Sequence, residues 1–116
     1  MINGISASLS ALQAESLRMQ SSAHNTANAN TDGFQRQIVT NQEAAPGAGV
    51  EAVVTIDESP GSPLVDAYGD IVGESSNVDF ADEALTRLTS KRAYEANLKV
   101  VAAAEEMTET LLDELG

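Results

Sequence analysis

The feature that most constrains the fold is a C-terminal segment, residues 78–115, that contains neither proline nor glycine over 38 positions. One helix of that length would be ~57 Å long, whereas a compact globule of this size is only ~28 Å across. One face of the segment repeats at alternating steps of three and four, at Tyr94, Asn97, Val101, Ala104, Thr108, Leu111 and Leu115. Such a face needs a second helix to cover it.

The N-terminal segment offers a matching face. Its residues Ile2, Ile5, Leu9, Leu12, Ser16, Met19 and Ala23 have the same spacing, which predicts a helix from about Ser6 to Ala27. The helix should end in the Asn-, Asp- and Gly-rich stretch 25–33, where Gly33 is predicted to have a positive φ. We predict that the two terminal helices pair as an antiparallel or staggered coiled coil, with Ser76 or Asn77 as N-cap of the second helix.

The middle of the chain has a different pattern. Pro46-Gly47-Ala48-Gly49 predicts a turn, Val50–Ile56 is a β-branched run typical of a strand, and two prolines between 59 and 63 interrupt the chain again. One or two short strands among loops are expected. The predicted fold class is therefore mainly α, with long N- and C-terminal helices and a short β/loop insert. Segments 1–36, 37–76 and 77–116 form one structural unit.

Charge and composition exclude several functions. With 18 acidic and 6 basic residues the chain has a formal charge of −12, so nucleic acid is not an expected partner. The absence of cysteine excludes disulfides and thiolate zinc sites. The N-terminus lacks the basic and apolar regions of a secretory signal, and no stretch reaches the ~20 apolar residues of a membrane span.

No set of residues suggests catalysis. His24 is the only histidine, and local spacing places no nucleophile or metal ligand beside it. The acids Glu105, Glu109 and Asp113 share a helical face, which we interpret as solvated rather than as a metal site. For the basic residues we predict ion pairs at i,i+4, for example Arg87 with Glu83. We expect no enzyme activity, cofactor, metal or small-molecule substrate.

Two regions resemble a known family. The turn residues Asn25, Ala27, Asn28, Thr31, Gly33 and Phe34 resemble the signature that follows the first helix in bacterial flagellar rod and hook axial proteins. Segments 76–79 and 92–97, followed by Glu106-Met107, are similar to the C-terminal helix of the same family. The short insert is most similar to that of its proximal rod proteins. Asp32, where proline is common in the family, leaves open whether this is a main rod subunit or a shorter paralogue.

The resemblance implies a structural subunit of the flagellar basal-body rod that serves motility. It implies assembly through the terminal helices, with further copies and with other rod and hook axial proteins as partners. It also implies synthesis in the cytoplasm and passage through the flagellar type III export apparatus without a cleaved signal. The alternative is a rod-like coiled-coil adaptor, or an export-associated protein, that does not enter the rod.

The resemblance also implies roles for individual residues. Asn25, Asn28, Thr31, Gly33 and Phe34 would form the turn and assembly motif, and Tyr94 would be a bulky anchor on the C-terminal helix. The spacing described above adds Asn97, Val101, Ala104 and Leu111 as packing residues of that helix. Capping and packing within one chain remains the alternative for each residue.

Overall fold

The computed structural model has a long helix at each end of the chain and two β-hairpins between them in the sequence. It describes the backbone of residues 2–116 and the side chains from residue 4 onward. In chain order the elements are α1 (Ile2–Ala27), β1 (Gln37–Glu43), β2 (Val50–Ile56), β3 (Pro63–Val65), β4 (Ile71–Glu74) and α2 (Phe80–Leu115). The molecule measures 81 × 25 × 13 Å, and its radius of gyration of 20.3 Å exceeds the ~13 Å of a compact chain of this length. The prediction of two long terminal helices around a small β insert is confirmed.

Both helices differ from prediction at their N-terminal ends. Helix α1 begins at Ile2 rather than Ser6 and accommodates Gly4, and it ends at Ala27 as predicted. Helix α2 begins at Phe80, and its N-cap is Asp79, whose side chain accepts a hydrogen bond from the backbone N of Ala81. The predicted caps Ser76 and Asn77 were wrong, because the Asn77 amide bonds to the chain around Arg36 and Asp57 instead.

The insert contains four strands in two separate antiparallel pairs. Strand β2 has the predicted bounds. It pairs along its whole length with β1, from Gln37 opposite Ile56 to Glu43 opposite Val50. The short pair of β3 and β4 has a register irregularity between Leu64 and Val65. The expectation of one or two strands was too low, because each strand pairs with a neighbour across a turn, β1 with β2 and β3 with β4.

Helix α1 is covered on two sides, by α2 and by the first hairpin. Only part of the predicted face is therefore buried: Leu12 is buried, while Leu9 is 47% exposed and Ala23 is exposed. Ile5, Ser16 and Met19 are half-buried, and the side chain of Ile2 lies outside the described residues. The face prediction was wrong at Leu9 and Ala23, because the second covering element shifts burial toward small residues, namely Ser8, Ala14, Ser21, Ser22 and Asn25.

The two long helices run antiparallel. Near the end of α1, the hydroxyl of Ser22 donates to the carbonyl of Glu83, 3.0 Å away, near the start of α2. Earlier in α1, Leu12 and Ser16 line the same surface recess as Tyr94, farther along α2. Arg87 donates to the Thr26 hydroxyl and forms no ion pair with Glu83, so that predicted pair was wrong.

The contact between these elements buries few apolar side chains. Among the described residues the buried hydrophobic ones are Leu12, Ala14 and Val39. The buried polar ones are Ser8, Ser21, Ser22, Asn25, Glu83 and Ser90. Hydrogen bonds across the contact therefore contribute an unusually large share of its specificity.

The tip of the first hairpin touches α1 at Gly49. Its φ is +93°, and a Cβ there would lie 2.2 Å from the Ser10 Oγ and 3.0 Å from the Ala7 Cα. The Ser10 hydroxyl also accepts a hydrogen bond of 3.1 Å from the backbone N of Val50. The hairpin is thus held on the helix by a backbone approach that only glycine permits.

We expect Gly49→Ala to loosen this hairpin more than Gly47→Ala does. Gly47 has a φ of +78° in the same turn, but a Cβ there would meet nothing within 4 Å. Gly47→Ala should cost ~1 kcal/mol of backbone strain, and Gly49→Ala about 2 kcal/mol more through overlap with α1. Hydrogen exchange of the β1–β2 amides measures the difference. Equal protection in the two variants would contradict the contact.

Candidate assembly site at the helix–hairpin junction

Asn25 joins the end of α1 to both β1 and α2. Its Oδ1 accepts from the backbone N of Gln37 at 2.8 Å, and its Nδ2 donates to the Gln37 carbonyl at 2.9 Å. The same Nδ2 donates to the Glu83 carboxylate at 3.0 Å. Asn25 is 1% exposed and Glu83 4%. The one buried amide of Asn25 therefore supplies hydrogen-bond partners both to the backbone at the start of β1 and to the buried Glu83 carboxylate.

Arg18 reinforces the contact between α1 and β1. Its guanidinium donates to the Val39 carbonyl at 2.6 Å and to the Asn41 Oδ1 at 2.8 Å. The Arg18 Nε also lies 3.4 Å from the Glu15 carboxylate, one turn earlier on α1. The cation thus links the helix to the first strand by two hydrogen bonds, and the Glu15 carboxylate lies beside it on the helix.

The turn after α1 is a local network of side chain and backbone. Asn28 Nδ2 donates to the His24 carbonyl at 2.9 Å, and the Thr31 hydroxyl donates to the Asn28 Oδ1 at 3.2 Å. Gly33 has the predicted positive φ, +75°, and its N donates to the Glu74 carbonyl at 2.8 Å. The Phe34 ring meets the His24 ring edge-on, with centroids 5.5 Å apart. The turn motif therefore directs the chain from α1 toward both hairpins.

A second polar cluster ties β1, the insert and the start of α2 together. The Asn77 Oδ1 accepts from the Arg36 N at 2.7 Å, and its Nδ2 donates to the carbonyls of Asp57 and Ser59, each at 2.9 Å. The Arg36 Nε lies 2.8 Å from the Asp57 Oδ2. Hydrogen bonding from Ser59, and next from Arg36, lowers the pKa of Asp57 from 3.8 to about 2.

This pKa shift predicts a pH-dependent contribution to stability. A lowered folded-state pKa stabilises the fold above the unfolded pKa of 3.8, and the stabilisation is lost as pH falls toward 2. The gap in melting temperature between the natural protein and Asp57→Asn should therefore be widest above about pH 4 and narrow toward pH 2. Glu58→Gln controls for the loss of one negative charge. A gap that does not change with pH would contradict the network.

The predicted packing residues of α2 divide between a covered and an open part. Tyr94, Asn97, Val101 and Ala104 are half-buried, and the Asn97 Nδ2 donates to the Ala93 carbonyl at 2.9 Å. Residues 105–116 are all exposed, including Leu111 at 48%. Leu111 follows Ala104 by seven residues, so the two side chains lie on the same face of α2. Ala104 is half-buried on this face, whereas Leu111 is exposed. The α2 tail therefore continues an apolar face without cover.

Two further observations concern the part of the chain that the structure describes. No group of three or more His, Asp or Glu side chains there is arranged to hold a metal ion. Neither α1 nor α2, over their described lengths, is both long and apolar enough to cross a membrane.

Comparison with known proteins places this architecture in a class. The family model described as "Flagellar basal body rod FlgEFG protein C-terminal" matches residues 72–114, which comprise nearly all of β4 and α2. Flagellar basal-body rod protein FlgC of Salmonella typhimurium is 34% identical over 116 aligned positions, covering 84% of this chain and 85% of that protein. The protein of the same name from Escherichia coli O157:H7 gives the same values. That of Yersinia enterocolitica is 36% identical over 110 positions, covering 79% of this chain and 81% of its own.

The chain therefore belongs to the FlgC family of flagellar basal-body rod proteins, and the resemblance of its motifs to rod proteins is confirmed. Membership supports a structural role in the rod and a location in the flagellar basal body.

Sequence reasoning missed the most connected residues of the junction. Glu83 was considered only as a helical ion-pair partner, and Arg36, Asp57 and Ser59 were not singled out. Asn77 was named as a possible cap, and Asn25 as part of a turn. A buried amide bridging three elements leaves no periodic signal, because its partners are 12 and 58 residues away in the sequence.

Proposed function

We propose that the protein is a structural subunit of the basal-body rod that assembles by covering its open α2 tail with the terminal helices of neighbouring subunits. One observation carries the proposal. Beyond Ala104 the α1-facing side of α2 continues through Leu111, Leu112 and Leu115, which are 48%, 64% and 84% exposed. Full burial of each leucine contributes ~1.5–3 kcal/mol, so a neighbouring helix gains appreciable free energy by covering them.

The lengths of the two helices support the same proposal. Helix α2 has 36 residues and α1 has 26, so α1 of the same chain cannot cover the whole face. We infer that α1 and α2 pair as a coiled coil within one subunit, and that the tail extends this packing to the next subunit. Other rod and hook axial proteins with similar terminal helices are equivalent partners in this arrangement.

The junction has a positioning role in this proposal. Asn25, Asn28, Thr31 and Gly33 set the direction in which the chain leaves α1, and the Phe34–His24 contact fixes the start of the insert. The bond from the Asn77 N to the Phe34 carbonyl, 3.2 Å, supports the treatment of 1–36, 37–76 and 77–116 as one structural unit. The tail packing residues are then presented at a defined angle.

Export and motility follow from the family in this proposal. The subunit is made in the cytoplasm, passes through the flagellar type III export apparatus without a cleaved signal, and serves flagellum-dependent motility as a rod component rather than through catalysis. Its acidic outer face, including Glu106, Glu109 and Asp113, remains solvated in the assembly.

The substitution Leu111→Asp tests the proposal. It places a charge on the open face while leaving the monomer fold intact, because the side chain is already 48% exposed. In cells that lack the natural copy, we expect at least a tenfold loss of the protein from isolated basal bodies, together with loss of swimming. Helix content and melting temperature of the purified monomer should be unchanged.

Thr110→Asp is the matched control. Thr110 lies on the outer face of the same helical turn and is exposed, so that variant should enter basal bodies normally. Normal incorporation of Leu111→Asp would contradict the proposal. Absence of the natural protein from basal bodies would favour the adaptor or export-associated alternative.

A further inference from the structure

The β3–β4 hairpin presents an exposed apolar tip flanked by acids. Tyr68 at its turn is 91% exposed, and the neighbouring strand residues Val65, Ile71 and Val72 are 61%, 71% and 65% exposed. Asp66 and Asp70 border the tyrosine in sequence. Val65 and Ile71 are paired across the hairpin, and exposed apolar side chains that lie together in this way mark an interaction surface.

This tip has a fixed shape. The Asp66 Oδ1 accepts from the backbone N of Tyr68 at 2.9 Å and of Asp70 at 3.0 Å. The Asp66 N donates to the Asp70 carbonyl at 2.9 Å, and the Gly69 N donates to the Asp66 carbonyl at 3.1 Å. A turn held by its own hydrogen bonds loses little conformational entropy when a partner binds.

A surface of opposite charge lies on α2. Its exposed residues Leu88, Lys91, Arg92, Leu98 and Lys99 form an outer stripe on the side away from Ser90 and Asn97, which face α1. Leu88 is 46% exposed and Leu98 45%. The stripe holds three of the six basic residues of the chain, and even with Glu95 among them its net charge is positive.

We propose that the β3–β4 tip of one copy docks on the outer stripe of α2 of a second copy. This inference rests on the proposed function and adds a second contact to the tail packing. The acidic tip complements the stripe in charge, whereas a chain with a net charge of −12 repels it over most other surfaces. Both surfaces also present apolar side chains for burial.

The two surfaces differ from each other, so their contact is heterologous. After one contact forms, one copy retains a free stripe and the other a free tip, so such contacts propagate into rings or helical filaments. Each copy within such an array therefore uses both surfaces, one toward each of two neighbours, as a repeated rod subunit requires.

Cysteine crosslinking tests the contact directly, because the natural chain has no cysteine. A chain carrying both Tyr68→Cys and Leu88→Cys should, after oxidation of isolated basal bodies, give a disulfide-linked ladder of dimers and larger species. Either single variant can give no species larger than a dimer. A chain with Glu58→Cys and Leu88→Cys is the matched control and should stay monomeric, since Glu58 is exposed outside the hairpin.

Charge reversal gives a second measurement. Asp70→Lys should lower incorporation about tenfold, the addition of Arg92→Glu should restore most of it, and Glu58→Lys should have no effect although it changes the charge equally. Three outcomes would overturn this contact while leaving the tail packing in place. They are incorporation into basal bodies without a ladder, a ladder also from the Glu58 control, and crosslinks only to a protein of another mass. Absence of the natural chain from basal bodies would overturn both.

Discussion

Replacing Asn25 by alanine is expected to lower the free energy of unfolding by about 3 kcal/mol. The variant would leave the backbone N–H and carbonyl of Gln37 without their side-chain partner and would remove the hydrogen bond of the buried Glu83 carboxylate. Buried polar groups without a partner are costly because water does not replace the lost bond. The urea midpoint of helix loss, followed by circular dichroism, measures the effect.

Asn28→Ala is the control for this prediction. Asn28 is the same residue type one turn later, but its bonds to His24 and Thr31 lie at the surface, so the expected loss is below about 1 kcal/mol. Asn25→Asp is nearly isosteric, yet it places a second carboxylate beside that of Glu83, so it should also lower the free energy of unfolding. Equal losses of unfolding free energy for Asn25→Ala and Asn28→Ala would contradict the role of Asn25 in joining α1 to β1 and α2.

Replacing Gly61 by alanine is the second change with a large expected effect. A Cβ at Gly61 would lie 2.0 Å from the carbonyl O of Ser75 and 2.8 Å from its carbonyl C. Those atoms belong to a backbone fixed by the bond from the Ser75 N to the Ser62 carbonyl, 2.8 Å. Neither the segment around Gly61 nor the one around Ser75 can move without breaking hydrogen bonds at the base of the second hairpin. The free energy of unfolding is therefore expected to fall by about 3 kcal/mol.

Gly73→Ala provides the matched comparison within the same hairpin. A Cβ at Gly73 would meet only the Leu64 Cδ1 at 3.9 Å, an ordinary contact. The free energy of unfolding of that variant should lie within about 0.5 kcal/mol of the value for the natural protein. Hydrogen exchange at Ser62 and Ser75 would locate the damage in Gly61→Ala. A stable Gly61→Ala protein with both amides protected would rule out the close approach.

The sequence predicted the long elements because their signals are local. An unbroken 3.6-residue pattern predicted α2, β-branched residues predicted Val50–Ile56, and Asn and Gly predicted the end of α1 near Ala27. Strand β1 was missed because Gln37–Glu43 lacks an alternating apolar pattern and depends on pairing with β2 for its conformation.

The faces of the helices were harder to predict than their lengths. The heptad pattern in α1 favoured Leu9 and Ala23, yet the helix buries serines and Asn25. Small polar side chains allow the hairpin and α2 to approach α1 closely, and hydrophobicity alone gives no sign of this. The caps of α2 were misassigned for a related reason, since Asn77 is held by partners 18 to 41 residues away.

The small number of buried apolar side chains has a calorimetric consequence. Exposure of apolar surface raises the heat capacity of a protein and exposure of polar surface lowers it. Among the described residues the buried side chains are mostly serines, Asn25 and Glu83, so one subunit should unfold with a smaller heat-capacity change and a flatter dependence of stability on temperature than a protein with an apolar core. The leucines of the α2 tail contribute their share only when another helix covers them. Part of the heat-capacity change should thus appear on association of subunits rather than on folding of one.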